Sequence, residues 1–349
     1  MSGLIQIFNE SNVESYDDYL LNNGISLDIY YTAKFLKIDA KIQKGEFEIF
    51  AVKKDNSIFI YPYIKLFFDN PDLKNYFDIT SPYGYCGPFC NDQTFFDEAE
   101  ALFYSYMSKN CVTEFVRYHY KYNRDFKFNK NIVNIHNRTI VVLDLNKSWE
   151  EIWTKEYSGT NRNVIRKLEK EGYSFSETTA EKDLDNFIEM YYLTMNNAGA
   201  DTFYYFTKEL IKQLYTALGK NIILVKVEKD HVVYSYSLFF ISGSIATYYL
   251  SSRNLDYSKV PATNFLLSKT VELLQKKAVS EVNFGGGLTN DPQDHLFRFK
   301  SNFSKTTENF FIGKRIYNDE IYKKIIADWI FIHGQENYES KKQILQFYR

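Results

Sequence analysis

Two parts of the chain repeat the same order of apolar and polar runs. In the first, EFEIFAVKKDNSIFIYPYIK, two apolar runs lie on either side of a polar turn at residues 54–56. In the second, NIILVKVEKDHVVYSYSLFFI, the polar turn lies at residues 229–231. Two apolar runs around a short polar turn are typical of a β-hairpin. The sequence therefore predicts two hairpins, one in each half of the chain.

The same elements follow each hairpin. Apolar residues at helical spacing predict a helix over residues 95–107 after the first hairpin and over residues 264–276 after the second. A short strand follows each helix, CVTEFVRY in the first half and AVSEVNFG in the second. This repeat predicts an α/β fold with mixed sheets, in which two duplicated domains stand in tandem. Chance likeness between short strand-forming strings is the alternative.

The repeat divides the chain into three predicted segments. Residues 1–138 form the first domain, residues 139–318 form the second, and residues 319–349 form a C-terminal helical extension. The second domain is predicted to begin with a strand at residues 139–143. Further helices are predicted near residue 148, after residue 160, at residues 183–196 and at residues 207–218.

Composition and charge narrow the class of protein. The chain of 349 residues has a formal net charge of -2, so no overall positive field favours nucleic acid as a partner. Three cysteines are too few for a disulfide framework, and no His, Cys or acidic spacing is typical of a metal site. No apolar run approaches the roughly 20 residues of a membrane span, and no signal peptide is visible. We expect a cytoplasmic protein without a catalytic metal.

A cationic helix face is predicted after residue 160. Arg162, Arg166 and Lys170 recur every four residues and therefore lie on one side of the helix. We interpret Arg162 and Arg166 as substrate-binding residues that contact phosphates. A solvated helix face is the alternative, and we favour it for Lys170.

The stretch from residue 247 to residue 303 is where chemistry is expected. It is predicted to form a strand, a loop, a helix, a second strand, a glycine turn and an aromatic-basic segment. A strand that leads through a loop to a helix N-terminus can hold an anionic cofactor by its free amides and the helix dipole. The predicted cofactor-binding residues are Arg253, Lys259, Ala262, Thr263 and Asn264.

Three motifs, in this order, resemble those of Fem-type peptidyltransferases and related acyltransferases, which are built from two GNAT-like domains. The motifs are SPYGYCGP (residues 81–88), TNRNVIRK (residues 160–167) and NFGGG…LFRFKSNF (residues 283–303). The resemblance covers roughly residues 46–318. It implies transfer of an acyl or aminoacyl group to an amine, and many relatives act on cell-wall precursors or on amino sugars of surface polysaccharides.

Two departures from the family pattern leave the donor open. The long paired-helix insertion of many aminoacyl-tRNA-using members has no counterpart in this chain. The glycine-rich pyrophosphate loop of acetyl-CoA-using members is also missing, and SRNLDYSKVPA stands in its place.

Amine acylation needs a deprotonated amine, a stabilised oxyanion and a proton for the leaving group. Lys300 resembles the lysine that Fem-type enzymes place near the transferred carbonyl, where a cation could stabilise negative charge, and Phe299 would exclude water. Asp294 could bind the acceptor ammonium and later take its proton, and His295 is a residue type that exchanges protons near neutral pH. Tyr249 is a possible proton donor. The alternatives are a surface lysine on an edge strand, turn residues and core packing.

The remaining predicted substrate contacts lie in two loops. Tyr83 and Tyr85 could form a wall of the acceptor pocket, and Gly285, Gly286 and Gly287 could contact the ligand where they form a turn. A purely structural turn is the alternative for both loops.

Three functions therefore remain open. The first is an N-acyltransferase that moves an acyl group, most simply acetyl from acetyl-CoA, to an amino group of a sugar nucleotide or an envelope polysaccharide precursor. The second is a Fem-type peptidyltransferase that takes its aminoacyl group from tRNA and acts on a peptidoglycan precursor. The third is a non-catalytic protein that binds a glycan or scaffolds other enzymes, because a fold alone does not fix a function.

Overall fold

The computed structural model describes residues 4–124, 131–199 and 205–349. The strands are β1 (Leu4–Phe8), β2 (Glu46–Lys54), β3 (Ser57–Phe67), β4 (Phe77–Thr80), β5 (Phe89–Cys90), β6 (Cys111–Arg117), β7 (Val133–Asp144), β8 (Ser174–Thr178), β9 (Ile222–Lys229), β10 (Val232–Ser242), β11 (Ile245–Arg253), β12 (Glu281–Gly286) and β13 (Thr307–Ile316). The helices are α1 (Glu14–Asn22), α2 (Ala33–Ile42), α3 (Gln93–Met107), α4 (Trp149–Glu151), α5 (Gly159–Lys170), α6 (Glu181–Ala198), α7 (Lys208–Leu218), α8 (Ala262–Lys276), α9 (His295–Lys300), α10 (Asp319–His333) and α11 (Gln335–Lys341). A π-helix, Ile152–Glu156, continues α4.

The chain folds into two compact units. The first unit contains residues 1–25, 30–137 and 309–349, and the second contains residues 26–29 and 138–308. These units are not the same segments as the three predicted ones. Strand β13 pairs with β6 from Ile312 to Ile316, and this pairing brings residues 309–349 into the first unit.

The first unit is built on strands in the order β1-β2-β3-β4-β6-β13. β2 and β3 form the predicted hairpin, and its turn contains Asp55 in a left-handed conformation with φ of 55°. A short polar side chain tolerates this conformation better than a branched one does. β4 and β6 run parallel, and α3 connects them.

The second unit repeats this plan, with strands in the order β7-β12-β11-β10-β9-β8. β9 and β10 form the second predicted hairpin, whose turn contains Asp230 and His231 with φ of 50° and 64°. β11 and β12 run parallel, and α8 connects them. The predicted α/β fold with two duplicated domains and a helical C-terminal extension is therefore confirmed.

Helix α8 lies against the sheet of the second unit because its apolar residues fall on one side. Phe265, Leu266, Val271 and Leu274 are almost completely buried in the core of this unit. Ile165 of α5 belongs to the same core, so α5 and α8 pack on a common layer. Burial of each such side chain contributes about 1.5–3 kcal/mol, which fixes the position of the amino end of α8.

Candidate active site

The parallel strands β11 and β12 separate after a short paired segment. They pair only between Ile245–Thr247 and Glu281–Asn283, although β11 continues to Arg253. Each strand also carries a bulge. Tyr249 is the extra residue of β11 opposite β10, and Phe284 is the extra residue of β12 opposite β7. The bulges bend the strands locally, and a gap opens beyond Thr247.

The last paired residue of β12 has an unused hydrogen-bond donor. Asn283 is fully buried, and its Oδ1 accepts a hydrogen bond of 2.7 Å from the amide of Gly285. Its Nδ2 makes no hydrogen bond to the residues that the structure describes. A buried donor without a partner costs about 1–3 kcal/mol, so this amide is available to donate to a bound molecule.

Lys300 lies at the open end of this gap. It is the last residue of α9, its side chain is 8% exposed, and Nζ donates a hydrogen bond of 2.7 Å to the carbonyl of Gly286. Nζ is also 5.9 Å from the centre of the Tyr248 ring on β11. Burial and, to a smaller extent, the charge of Arg138 lower the pKa of Lys300 to about 7, while Asp294 acts in the opposite direction. The alternative interpretation, a surface lysine on an edge strand, is therefore wrong, because Lys300 is buried and lies on a helix.

Asp294 forms the cap of α9. Its Oδ1 accepts hydrogen bonds from the amides of Leu296 and Phe297, and its Oδ2 accepts them from the amides of Leu288 and Thr289. Burial raises the pKa of Asp294, but these backbone hydrogen bonds outweigh it and lower the pKa overall. A carboxylate that is stabilised in its charged form is a weak proton acceptor. The geometry favours a structural role for Asp294, and its role in proton transfer stays a prediction.

Three further predicted residues lie on α9 and β11. His295 is exposed at the first residue of α9. The half-buried ring of Phe299 lies 5.8 Å from the ring of Phe303 and covers the core beside Lys300. The ring of Tyr249 stacks on Phe240 at 4.0 Å. A catalytic role for His295 or Tyr249 stays a prediction.

The residues predicted to bind the cofactor lie around the amino end of α8. Arg253 ends β11, Lys259 lies in the following loop, and both are exposed. Ala262 is the buried first residue of α8. The two cations are therefore accessible to a phosphate at this helix end.

The next two side chains are held by the protein itself. Thr263 Oγ1 lies 3.2 Å from Ser235 Oγ. Asn264 Nδ2 donates a hydrogen bond of 2.9 Å to Asn161 Oδ1 on α5. These contacts position the amino end of α8, and a direct cofactor contact by either side chain stays a prediction.

Residues 156–301 match the family model described as the acetyltransferase (GNAT) domain. This segment contains β11, α8, β12 and Lys300. Most of the chain also resembles the crystal structure of FemX, with a TM-score of 0.68, 14% identity, and coverage of 92% of this chain and 99% of FemX. The chain has a Fem-type, GNAT-like fold.

Other structures with this GNAT-like fold are similarly distant in sequence. L-PGS from Bacillus licheniformis gives a TM-score of 0.56 at 11% identity, over 90% of this chain and 95% of that chain. A conserved protein of unknown function from Bacteroides thetaiotaomicron VPI-5482 gives a TM-score of 0.56 at 10% identity, over 89% of this chain and 100% of that chain. No curated protein matches the chain. At this identity the structural likeness shows the fold alone.

The described residues contain neither a candidate metal site nor a helix that could span a membrane. Within residues 4–124, 131–199 and 205–349, no group of three or more His, Cys, Asp or Glu side chains could hold a metal ion. Across the same residues, no helix combines the length and the apolar character needed to span a membrane.

The predicted cationic face of α5 is only partly available to a ligand. Arg162 Nη1 donates to the carbonyls of Trp153, Thr154 and Tyr157 at 3.2, 3.3 and 2.5 Å, where the π-helix ends. Arg162 therefore satisfies carbonyls that the π-helix leaves unpaired. Arg166 is exposed, and its guanidinium lies 5.2 Å from the centre of the Trp153 ring. Substrate binding by Arg162 and Arg166 stays a prediction.

Tyr83 and Tyr85 lie in the first unit. The guanidinium of Arg117 is 5.7 Å from the centre of the Tyr83 ring, and the ring of Tyr85 packs edge-on against Phe310 at 5.1 Å. Both tyrosines are half-buried. Their place in an acceptor pocket stays a prediction.

The stability of the second unit is expected to depend on pH through Lys300. Its pKa is about 7 in the folded protein and 10.5 when unperturbed, so between these values the unfolded chain holds a proton that the folded chain lacks. Stability then rises with pH. Relative to Lys300→Met, the wild type should gain about 3 kcal/mol in free energy of unfolding between pH 7 and pH 10. Urea unfolding of both proteins at several pH values measures this difference, and a pH-independent difference would contradict it.

Gly287 is expected to be required for the cap of α9. An added Cβ at this position would lie 2.6 Å from Cγ of Asp294. Gly287→Ala should therefore displace the carboxylate and lower the free energy of unfolding by about 1–3 kcal/mol. Gly159→Ala is the matched control, because its Cβ would meet only Arg162 Nη2 at 3.8 Å. Equal urea midpoints for the two variants would disprove the expectation.

Proposed function

We propose that the second unit is an N-acyltransferase. It would transfer an acyl group, acetyl in the simplest case, from acyl-CoA to an amino group of a sugar nucleotide or an envelope polysaccharide precursor. The observation that carries this proposal is the position of Lys300, a buried amine with a pKa of about 7 at the open end of the β11–β12 gap. The buried cysteines Cys86, Cys90 and Cys111 form no disulfide, which supports a reducing, cytoplasmic location.

Lys300 has a chemistry that suits amine acylation. A group with a pKa near the working pH can both accept and return a proton, and general acid-base catalysis of this kind contributes about 10²–10⁴-fold to a rate. In its charged form the same group can stabilise the oxyanion of the tetrahedral intermediate. Burial of the Lys300 side chain, with the ring of Tyr248 5.9 Å from Nζ, limits the access of water to this amine.

The gap suits an extended donor that contains amides. The edge of β11 beyond Thr247 is not paired with β12, so its backbone groups could hydrogen-bond an extended arm as a strand would. The unused Nδ2 of Asn283 lies at the start of this gap. At the other end, Arg253, Lys259 and the amino end of α8 provide positive charge for phosphates.

A thermal-shift titration with acetyl-CoA and CoA tests the donor. A ligand that binds only the native state raises the midpoint in a concentration-dependent way. We expect a saturable rise with both ligands, and Arg253→Ala/Lys259→Ala should need about tenfold more ligand because charge-assisted contacts are lost. Lys323→Ala/Lys324→Ala, which removes the same charge from the first unit, is the control. No rise with either ligand would overturn a CoA donor.

Transfer itself is tested by release of the CoA thiol. Acetyl-CoA is offered with a panel of amino-sugar nucleotides, and thiol appearing only with one class of amine would identify the acceptor. A product confirmed by mass would exclude a non-catalytic role.

The similarity to FemX and L-PGS favours a second candidate. In this alternative the donor is an aminoacyl group carried by tRNA, as the resemblance to Fem-type peptidyltransferases implies. Transfer from a crude aminoacyl-tRNA preparation that stops after ribonuclease treatment, together with no midpoint shift by CoA, would establish this alternative. Transfer that survives ribonuclease would exclude it.

A further inference from the structure

Arg138 lies beside Lys300 in the fold, although no motif or residue spacing in the sequence indicates this. Arg138 is the residue of β7 at which the second unit begins, it is half-buried, and its Nη1 donates a hydrogen bond of 2.7 Å to the carbonyl of Gly287. Lys300 Nζ donates to the carbonyl of Gly286, also at 2.7 Å. Successive carbonyls of one glycine turn thus each hold a basic side chain. The turn therefore keeps the basic side chains of Arg138 and Lys300 close together.

Among the described residues, the hydrogen-bond partners of Arg138 Nη1 and Lys300 Nζ are backbone carbonyls, not carboxylates. The charged or titratable groups around Lys300 are Arg138 from β7, Asp294 from the start of α9 and Tyr248 from β11. Both oxygens of Asp294 are taken by backbone amides. Nε of Arg138 is buried and makes no hydrogen bond to the residues that the structure describes. A second cation at Lys300 would therefore be poorly compensated.

The glycine at residue 286 makes room for this arrangement. An added Cβ there would lie 2.7 Å from the carbonyl oxygen of Thr139 and 2.9 Å from Cδ of Arg138. Contacts this short do not occur between well-packed atoms, so a larger residue would push Arg138 away from the turn. Arg138 can therefore occupy this position only because residue 286 of β12 is a glycine.

We propose that Arg138 is a positioning residue for the transfer reaction: held beside Lys300 by the glycine turn, its fixed charge adds to the effect of burial and favours the uncharged form of Lys300, so that Nζ can accept the proton that the acceptor amine must lose. This proposal rests on the proposed function of the second unit. It assigns to Lys300 the role of a base, whereas the family resemblance predicts a cation that stabilises the transferred carbonyl. The positive charge of Arg138 lowers the pKa of Lys300 in addition to the effect of burial, and this direction agrees with the role of a base for Lys300.

The proton balance of the step is simple. The acceptor ammonium gives one proton to the lone pair of Lys300 Nζ, and the freed amine attacks the acyl carbonyl. The C–N bond forms as the C–S bond to CoA breaks, and the second amine proton leaves with the thiolate as the CoA thiol. Lys300 then returns its proton to water, so one proton is released per turnover.

A titration without substrate tests directly whether the charge of Arg138 lowers the pKa of Lys300. The side chain of Lys300 is followed by NMR of ¹³Cε-labelled lysine in the full chain, and Lys300→Met assigns its signal. We expect the titration midpoint to be similar in the wild type and in Arg138→Lys, and about one pH unit higher in Arg138→Gln. The same midpoint in all three proteins would overturn the proposal. If Arg138→Gln does not fold by circular dichroism, Arg138→Met, which keeps the methylenes packed on Gly286, replaces it.

The pH dependence of transfer supplies the second measurement. In Arg138→Gln the acid limb of the rate profile should move to higher pH, so that the rate falls about fivefold at pH 7 and recovers near pH 9. Arg138→Lys should keep the wild-type profile. A rate that is lowered equally at every pH would show a structural role only and would overturn the proposal. If no donor gives turnover, the proposed function fails, and the NMR titration still decides whether Arg138 controls the charge of Lys300.

Discussion

Replacing Lys300 with methionine is expected to lower kcat about 10²–10⁴-fold and to leave the protein folded. Methionine fills a similar volume, so the core beside Phe303 should persist, but the group that exchanges the proton is lost. The measurement is release of the CoA thiol from acetyl-CoA with the acceptor at saturation. Lys305→Met is the matched control, because Lys305 is exposed and its side chain is not used in the site.

A second replacement separates the two chemical roles of Lys300. Arginine stays charged at every accessible pH, so Lys300→Arg cannot act as a base but can still stabilise negative charge. Turnover of Lys300→Arg near the wild-type level would show that Lys300 acts as a cation, as the family resemblance predicts. Turnover as low as that of Lys300→Met would favour the base. Unchanged turnover of Lys300→Met itself would remove Lys300 from the mechanism.

Arg315→Met is expected to lower the free energy of unfolding of the first unit by about 3–5 kcal/mol. Arg315 is 3% exposed, its guanidinium donates to Glu100, and its Nε lies 3.6 Å from Glu114. Glu114 also accepts hydrogen bonds from Tyr61 and Tyr317 at 2.7 and 2.8 Å. Without the guanidinium, the buried carboxylates of Glu100 and Glu114 would lose the cation of Arg315, and weakening the compensation of buried charges is strongly unfavourable.

The control for this prediction is an exposed ion pair of the same unit. Lys324 lies 3.7 Å from Asp72, and both side chains are largely exposed. Lys324→Met should change the free energy of unfolding by less than about 1 kcal/mol. Urea unfolding followed by far-UV circular dichroism measures both variants. Similar small losses for Arg315→Met and Lys324→Met would show that the buried pair is not needed for stability.

The parts of the fold that could be predicted from the sequence are those with a local cause. The two hairpins follow from apolar runs around Asp55 and Asp230, and the turns adopt the left-handed backbone that such polar residues tolerate. α8 follows from apolar spacing over four turns. The duplication could be recognised because these local signals recur in the same order.

The site was only partly predictable because its decisive contacts are not local. Lys300 and the glycine turn were found by the family resemblance, but α9 has only six residues, too few for a periodic pattern. The burial of Lys300 depends on its contact with Gly286, and the neighbouring charge comes from Arg138 on another strand. Helical spacing likewise placed Arg162 on a cationic face. It could not indicate that a π-helix ends beside it with carbonyls that need a donor.

The two units differ in continuity along the chain, and this difference sets an order for folding during synthesis. Apart from residues 26–29, the second unit is one uninterrupted segment, residues 138–308. The first unit lacks β13, α10 and α11 until residues 309–349 have left the ribosome. Domains generally fold as units while the chain emerges. The nascent chain is therefore expected to present all residues of the second unit while β6 still exposes the edge that β13 later covers, and chaperones that recognise open strand edges would act during that interval.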